Sequence, residues 1–180
     1  MKFKTIRQTA TIDAAPADVY NAYTDPKTHS AFTGSPSSGS PRVGGRFTAW
    51  DGYIEGRYLE LENGRKVVHE WKTTDWPDGY PPSLVELTFK PKGRRTELVM
   101  VHSSVPAEQA AEYAEGWTEY YWEPLKKYFE GRERAVVELL HAVPRGKVGK
   151  AARTGRRSGE VSVTAGKRTS RTGARTRTRT

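Results

Sequence analysis

Residues 106–130 read PAEQAAEYAEGWTEYYWEPLKKYFE, and the fold is organised around this stretch. Small, apolar and aromatic side chains recur in it every three or four residues, the spacing of one face of an α-helix. They are Ala110, Ala114, Trp117, Tyr121, Pro124, Leu125 and Tyr128. Glutamates recur on the opposite side. The pattern predicts a helix of roughly 36 Å, at ~1.5 Å per residue, with one wall to bury and one wall in water.

Three residues refine this prediction. Pro106 suits the first position of a helix, so the helix is predicted to begin there. Pro124 removes a backbone hydrogen bond and crowds the preceding turn, so a bend is predicted near it. Gly116 is predicted to allow close approach to the layer beneath. The result is a bent helical lid over a concave partner.

The sequence before the lid predicts that partner. Ile6, Gln8, Ala10 and Ile12 alternate with polar residues, as in a strand with one buried face. Residues 16–25 and 26–31 predict short helices, and the glycine- and serine-rich residues 34–45 predict a loop. Five strands separated by turns such as Asp51-Gly52 follow, at residues 46–50, 53–61, 66–73, 84–90 and 95–102. We therefore predict an α+β fold in which a curved antiparallel sheet wraps around the long C-terminal helix.

The charge is divided unevenly along the chain. Residues 141–180 hold 12 of the 30 lysines and arginines and one of the 21 acids, so the net charge of +9 comes from this end. Residues 132–141 still predict helix, as an exposed extension. Beyond residue 143 few apolar residues occur, and such a segment cannot bury enough surface to fold. The predicted domains are 1–142, which is folded, and 143–180, a disordered basic tail.

Several functional classes are disfavoured by what the sequence lacks. It has no cysteine, which excludes disulfides and thiol catalysis. Neither a signal peptide nor a membrane span is recognisable, so a cytoplasmic protein is predicted. No nucleophile–base motif and no metal-binding motif occurs, so we expect no cofactor and no metal, and nothing argues for an enzyme.

A family resemblance emerges from short segments that occur in a characteristic order over roughly residues 3–130. They are Ala15-Pro16-Ala17-Asp18-Val19-Tyr20, Val43-Gly44-Gly45-Arg46-Phe47, Glu70-Trp71-Lys72, Asp75-Trp76-Pro77, Thr96-Glu97-Leu98 with His102, Gly116-Trp117 and Tyr121-Trp122. Together they resemble the START-like (SRPBCC, helix-grip) superfamily, in the branch similar to the C-terminal domain of the heat-shock protein 90 ATPase activator. The resemblance implies a seven-strand sheet gripping the C-terminal helix, with a cavity for a hydrophobic ligand between them.

This resemblance leaves the function open, because the superfamily includes lipid carriers, hormone receptors, cyclases and co-chaperones. We expect binding of a small hydrophobic or amphipathic ligand between sheet and helix. The alternative is a chaperone-associated interaction module.

The candidate ligand-binding residues lie on the faces predicted to point inward: His69, Trp71, Phe89, His102, Trp117 and Tyr121. The four apolar or aromatic members are either ordinary core or the walls of a ligand pocket. The two histidines are either hydrogen-bonded core residues or groups that orient a polar head-group or act as acid and base near neutral pH. His29, near the predicted loop, is a further candidate for the mouth of the cavity.

The basic tail is the feature that favours nucleic acid. Spaced arginines and lysines neutralise phosphates without reading sequence, and the tail has no aromatic residue on which bases could stack. The candidate contacts are Arg153, Arg156, Arg157, Lys167, Arg168 and Arg171. The alternative is a low-complexity extension without a binding role.

Overall fold

Seven antiparallel strands and two groups of helices make up residues 1–142, the part of the chain that this computed structural model describes. The strands are β1 (Phe3–Ile12), β2 (Ser38–Gly39), β3 (Arg46–Ala49), β4 (Ile54–Glu62), β5 (Lys66–Thr73), β6 (Ser83–Lys92) and β7 (Arg95–Pro106). The helices are α1 (Pro16–Thr24), α2 (Pro26–Thr33), α3 (Ala110–Trp117), a π-helical turn (Thr118–Trp122) and α4 (Glu123–Ala142). No helix of this part is long and apolar enough to cross a membrane. The predicted tail and its candidate contacts lie outside the described residues.

The strands form one sheet in the order β1-β7-β6-β5-β4-β3-β2. Neighbours from β2 to β7 are consecutive in sequence, as the turn signals predicted, and β1 pairs with β7 at the other edge. The pair Glu62 and Lys66 flanks the predicted Asn63-Gly64 turn. The predicted α+β fold, with two short helices after the first strand and a long C-terminal helix, is confirmed.

One face of the sheet supplies the core, and the two-residue alternation in the sequence predicted its side chains. Val67, Val85, Leu87, Leu98 and Met100 are each at most 1 % exposed. Helix α1 packs against β6 and β7 and buries Val19, Ala22 and Tyr23 among others, and α2 buries His29 and Phe32. Each such large apolar side chain contributes roughly 1.5–3 kcal/mol by leaving water.

The glycine- and serine-rich residues 34–45 form a loop, as predicted, apart from a two-residue strand that the composition did not predict. Ser38 and Gly39 form this strand, β2, which pairs with Thr48 and Phe47 of β3. A Cβ atom at Gly39 would lie 2.7 Å from the carbonyl oxygen of Arg46. Glycine is therefore needed at this position for the two strands to approach each other.

The predicted beginning of the C-terminal helix was wrong. Pro106 is the last residue of β7, where it pairs with Phe3, and α3 begins at Ala110. Proline fits the end of a strand as well as the start of a helix, because in both places its missing N–H is tolerated. At the other end, the predicted exposed extension over residues 132–141 is continuous with α4.

Candidate functional site

The hydrogen-bond pattern of the C-terminal helix changes between α3 and α4. Over Thr118–Trp122 the turn is π-helical, and Glu123 N–H donates to the carbonyl oxygen of Thr118, five residues back. Pro124 follows and has no N–H to offer the preceding turn, which favours a wider turn at this place. The disturbance predicted at Pro124 therefore takes the form of a π-helical turn.

Gln8 of β1 fastens this turn to the sheet. Gln8 Nε2 donates to the carbonyl oxygen of Ala114 at 2.7 Å, and Trp122 Nε1 donates to Gln8 Oε1 at 2.6 Å. Thr118 N–H donates to Glu115, three residues back, which leaves the Ala114 oxygen available to the glutamine. One side chain thus satisfies a carbonyl at the irregular turn and holds the indole beside it.

A pocket of about 470 Å³ opens between this helical segment and the β3–β5 end of the sheet. Its wall is formed by the β3–β4 turn, the start of β4, one residue of β5, α3 and the π-helical turn. Seven of its ten residues are aromatic, and the set is Trp50, Tyr53, Ile54, Trp71, Glu112, Tyr113, Gly116, Trp117, Tyr120 and Tyr121. Volumes of ~300–1,000 Å³ and apolar linings with a few polar groups are usual for small-molecule sites.

Trp50 reaches the pocket from a strained turn. Its φ is 55° and that of Asp51 is 54°, so two residues with side chains adopt the left-handed conformation in succession. The Trp50 ring centroid lies 5.4 Å from that of Tyr120 and 6.4 Å from that of Tyr121. A left-handed tryptophan costs of order 1–3 kcal/mol and persists only where the surroundings hold it. The connection spans Trp50–Tyr53, longer than the two-residue hairpin predicted at Asp51-Gly52.

Gly116 faces the pocket and does not serve close packing, which corrects the role predicted for it. A Cβ atom at this position would meet only Tyr120 Cδ2, at the ordinary contact distance of 3.7 Å. The glycine lies among the lining residues, in the interior of α3 and its π-helical continuation. Its missing side chain therefore leaves room in the pocket.

The structure brings three of the six candidate ligand-binding residues to the pocket. Trp71, Trp117 and Tyr121 lie in its wall while being 2–5 % exposed, so they are core residues and wall residues together. Phe89 packs against Tyr20 of α1 with ring centroids 5.7 Å apart, away from the pocket. His69 and His102 are fully buried and are not among the lining residues.

His102 lies in a continuous chain of hydrogen bonds. Trp117 Nε1 donates to His102 Nδ1 at 3.0 Å, and Ser83 Oγ donates to the carbonyl oxygen of Trp71 at 2.7 Å. His102 Nε2 is therefore the donor in its 2.7 Å contact with Ser83 Oγ. Burial lowers the pKa of His102 to about 3, because a second proton on the ring would lose its solvation, and the nearby His69 lowers the pKa further. The neutral ring positions Trp117.

His69 is fixed in the opposite tautomer. Its Nδ1 donates to the carbonyl oxygen of Glu70 at 2.9 Å, and its Nε2 accepts from the Tyr23 hydroxyl at 2.8 Å. Burial lowers the pKa of His69 to about 4. His29 Nδ1 donates to the carbonyl oxygen of Tyr23, and burial lowers its pKa also. His29 does not line the aromatic pocket but a small neighbouring cavity, which Tyr121 and Trp71 also line.

Residues 13–130 match the family model described as Activator of Hsp90 ATPase homolog 1-like protein. The chain belongs to this family. The resemblance found in the sequence motifs is thus confirmed.

Relatives of this Hsp90 ATPase activator-like chain include the activator of 90 kDa heat shock protein ATPase homolog 1 of Homo sapiens. The two are 31 % identical over 115 residues, which is 64 % of this chain and 34 % of the human protein. The chain spans about a third of the length of the curated relatives it matches.

Two solved structures share the fold. An HSP90 activator from Plasmodium falciparum superposes with a TM-score of 0.59 and 25 % identity, covering 74 % of this chain and 96 % of that one. CalU16 from Micromonospora echinospora gives 0.60 and 28 % identity, covering 71 % and 66 %.

Several lining residues of this activator-like domain were missed by the sequence reasoning. Tyr113 lies four residues before Trp117, so helical spacing could have placed it on the inner wall. Tyr120 lies beside Tyr121 and reaches the pocket from the π-helical turn, whose extra residue per turn no regular spacing predicts. Trp50 depends on the conformation of a turn and gave no signal.

Proposed function

We propose that this domain binds a small apolar or amphipathic molecule in the aromatic pocket. The observation that carries the proposal is the 470 Å³ pocket with seven aromatic residues in its wall. Filling it would remove exposed aromatic surface from water, such as that of Tyr53 and Tyr120, which are 38 % and 48 % exposed. Apolar burial at roughly 25 cal/mol per Å² is the driving force for such binding.

The polar groups of the wall favour binding over reaction. They are phenols and one carboxylate, because the Trp117 indole N–H already donates to His102, and among residues 1–142 no histidine lines the pocket. Burial raises the pKa of Tyr113 to about 12, so its phenol stays protonated at neutral pH. Such groups orient a ligand by hydrogen bonds, and we assign them that role.

The test is a thermal-shift screen of the purified chain against a broad library of hydrophobic and amphipathic compounds, followed by native mass spectrometry of the hits. Stabilisation by a binder follows from mass action, because a ligand that binds only the folded state raises its stability. We expect hits whose shift disappears in Gly116→Leu, where the added side chain occupies the pocket. A library without any stabilising compound would count against the proposal.

A second proposal, favoured by the family match over residues 13–130, is an association with Hsp90. A relative that carries the name of an Hsp90 ATPase activator is 31 % identical to this chain over 115 residues. We infer that the domain contributes a chaperone-binding surface. The proposed association is tested by pull-down with purified Hsp90 and by measurement of the chaperone's ATPase rate. If Hsp90 is not enriched and its ATPase rate does not change, the proposal is wrong.

The basic tail supports a third proposal from the sequence alone, non-specific binding to nucleic acid through residues such as Arg153, Arg156 and Arg157. Deletion of residues 144–180 should abolish the gel shift of DNA at low salt. Retained binding after the deletion would contradict it.

A further inference from the structure

The electrostatic character of the pocket narrows the class of ligand, and this step rests on the proposed binding function. Within the described residues, Glu112 is the single charged member of the lining, and its charge is negative. The remaining polar atoms of the wall belong to tyrosines and tryptophans. A neutral hydrophobic ligand would make no charge interaction with the carboxylate, whereas an anionic ligand would be repelled by it.

The aromatic rings form a connected belt. Tyr120, Trp50, Tyr121, Trp117, Trp71 and Tyr113 follow one another with centroid separations of 4.6–6.4 Å. Four of the five neighbouring pairs are tilted or perpendicular by 46–79°. Rings at such angles turn their faces in several directions, and each face carries the negative part of the ring quadrupole.

Two carboxylates reinforce this negative field at one end of the belt. The Tyr53 hydroxyl donates to Asp75 Oδ2 at 3.2 Å, and Gln109 Nε2 donates to the Asp75 carbonyl oxygen at 3.1 Å, which ties the β5–β6 connection to the start of α3. Burial raises the pKa of Tyr53, and the Asp75 and Glu112 carboxylates raise it further. Both carboxylates therefore act on the phenols of the wall.

We propose that the ligand of this pocket is an organic cation, an alkylated or quaternary ammonium carried on an apolar body. Electron-rich rings attract a cation that lies within ~6 Å of their faces, most strongly tryptophan and most strongly when water is excluded. An alkylated ammonium has the apolar shell that an aromatic wall accepts and the charge that Glu112 neutralises. We assign the charged head to the accessible rim of the pocket, which includes the partly exposed Trp50 and the exposed Glu112, and the apolar body to the buried part of the belt.

The experiment compares phenyltrimethylammonium with tert-butylbenzene, its uncharged carbon isostere, by titration of tryptophan fluorescence of the full chain at about 0.15 M salt, where distant charges are screened. We expect the cation to bind about tenfold more tightly than the isostere. Trp50→Leu, which removes the π face and part of the apolar surface, should weaken the cation by about tenfold and the uncharged isostere by a clearly smaller factor.

Matched variants distinguish the loss of a π face or of a charge from a general effect of the substitution on the fold. Trp50→Phe keeps a π face and should retain most of the cation's affinity. Glu112→Gln should weaken the cation several-fold, whereas Glu115→Gln, on the exposed side of the same helix and outside the lining, should not.

Two results overturn the inference in distinguishable ways. If both compounds bind equally and both are blocked by Gly116→Leu, the pocket binds apolar ligands without preference for a cation, and the proposed binding function stands. If neither compound binds and the library screen also yields no ligand, the binding function fails together with the inference.

Discussion

Replacement of Gly116 by alanine and by leucine tests the pocket with opposite effects on stability and binding. A Cβ atom at this position meets only Tyr120 Cδ2 at 3.7 Å, so alanine creates no clash. Glycine in a helix interior is roughly 0.5–1 kcal/mol less favourable than alanine, because the unfolded chain has more conformations to lose. We therefore expect Gly116→Ala to raise the free energy of unfolding by about 0.5–1 kcal/mol.

Gly116→Leu keeps this gain in helix propensity and places four carbon atoms in the pocket. We expect its free energy of unfolding to be at least that of the wild type, while ligand binding is lost. Urea unfolding followed by circular dichroism gives the stability, and titration with a hit from the library gives the affinity. The matched control is Gly131→Leu, since Gly131 lies on α4 outside the pocket lining, and a Cβ atom added there would meet nothing within 4 Å.

The outcome that refutes this reasoning is specific. If Gly116→Ala lowers the free energy of unfolding by more than about 1 kcal/mol, the glycine is required for close packing, as the sequence suggested, and the space beside it is not available to a ligand. Loss of binding in Gly131→Leu would instead show that the assay responds to helix substitutions in general.

Two further predictions concern the residues that hold the site. The folded-state pKa values of His69 and His102 are about 4 and about 3, below the ordinary value of 6.5. Between pH 6.5 and these values each histidine is therefore protonated in the unfolded chain and neutral in the folded chain. The free energy of unfolding should fall as the pH falls, by about 2 kcal/mol for each histidine at pH 5. Equal unfolding midpoints in urea at pH 7 and at pH 5 would contradict this prediction. Gln8→Leu removes the side chain that bonds the Trp122 indole N–H and the Ala114 carbonyl, and it should lower the free energy of unfolding by about 1–3 kcal/mol in the same assay. The control is Arg7→Leu, at the solvent-facing neighbour, which should lower it little. If Gln8→Leu is as stable as the wild type, the π-helical turn does not depend on this side chain.

The sheet and the inner helix face could be predicted because their signals are local. Val67, His69 and Trp71 alternate with polar residues along one strand, and alternation assigns a face whatever the rest of the chain does. Trp117 and Tyr121 are one turn apart, and helical spacing assigns them likewise. These predictions needed no knowledge of distant partners.

The hydrogen-bond networks and the pocket could not be predicted, because they depend on residues far apart in sequence. The role of His102 is set by Ser83 and Trp117, which lie 19 and 15 residues away. The place of Tyr120 depends on a π-helical turn that Gln8 helps to hold from more than 100 residues away. The sequence leaves two alternatives for a histidine on an inner face, and its hydrogen-bond partners decide between them.

Three locally unfavourable features converge on one pocket, and this convergence argues for selection of the pocket itself. Gly116 weakens a helix interior, Trp50 holds a left-handed backbone, and the turn at Thr118–Trp122 departs from regular helix. The first two together cost roughly 1.5–4 kcal/mol, a substantial part of the ~5–15 kcal/mol that stabilises a domain. A helix that served only to cover the sheet would be more stable with alanine at 116 and a regular turn after Trp117. Because conflicts between local preference and adopted structure concentrate at functional sites, this convergence supports the aromatic pocket as the site of the proposed binding function.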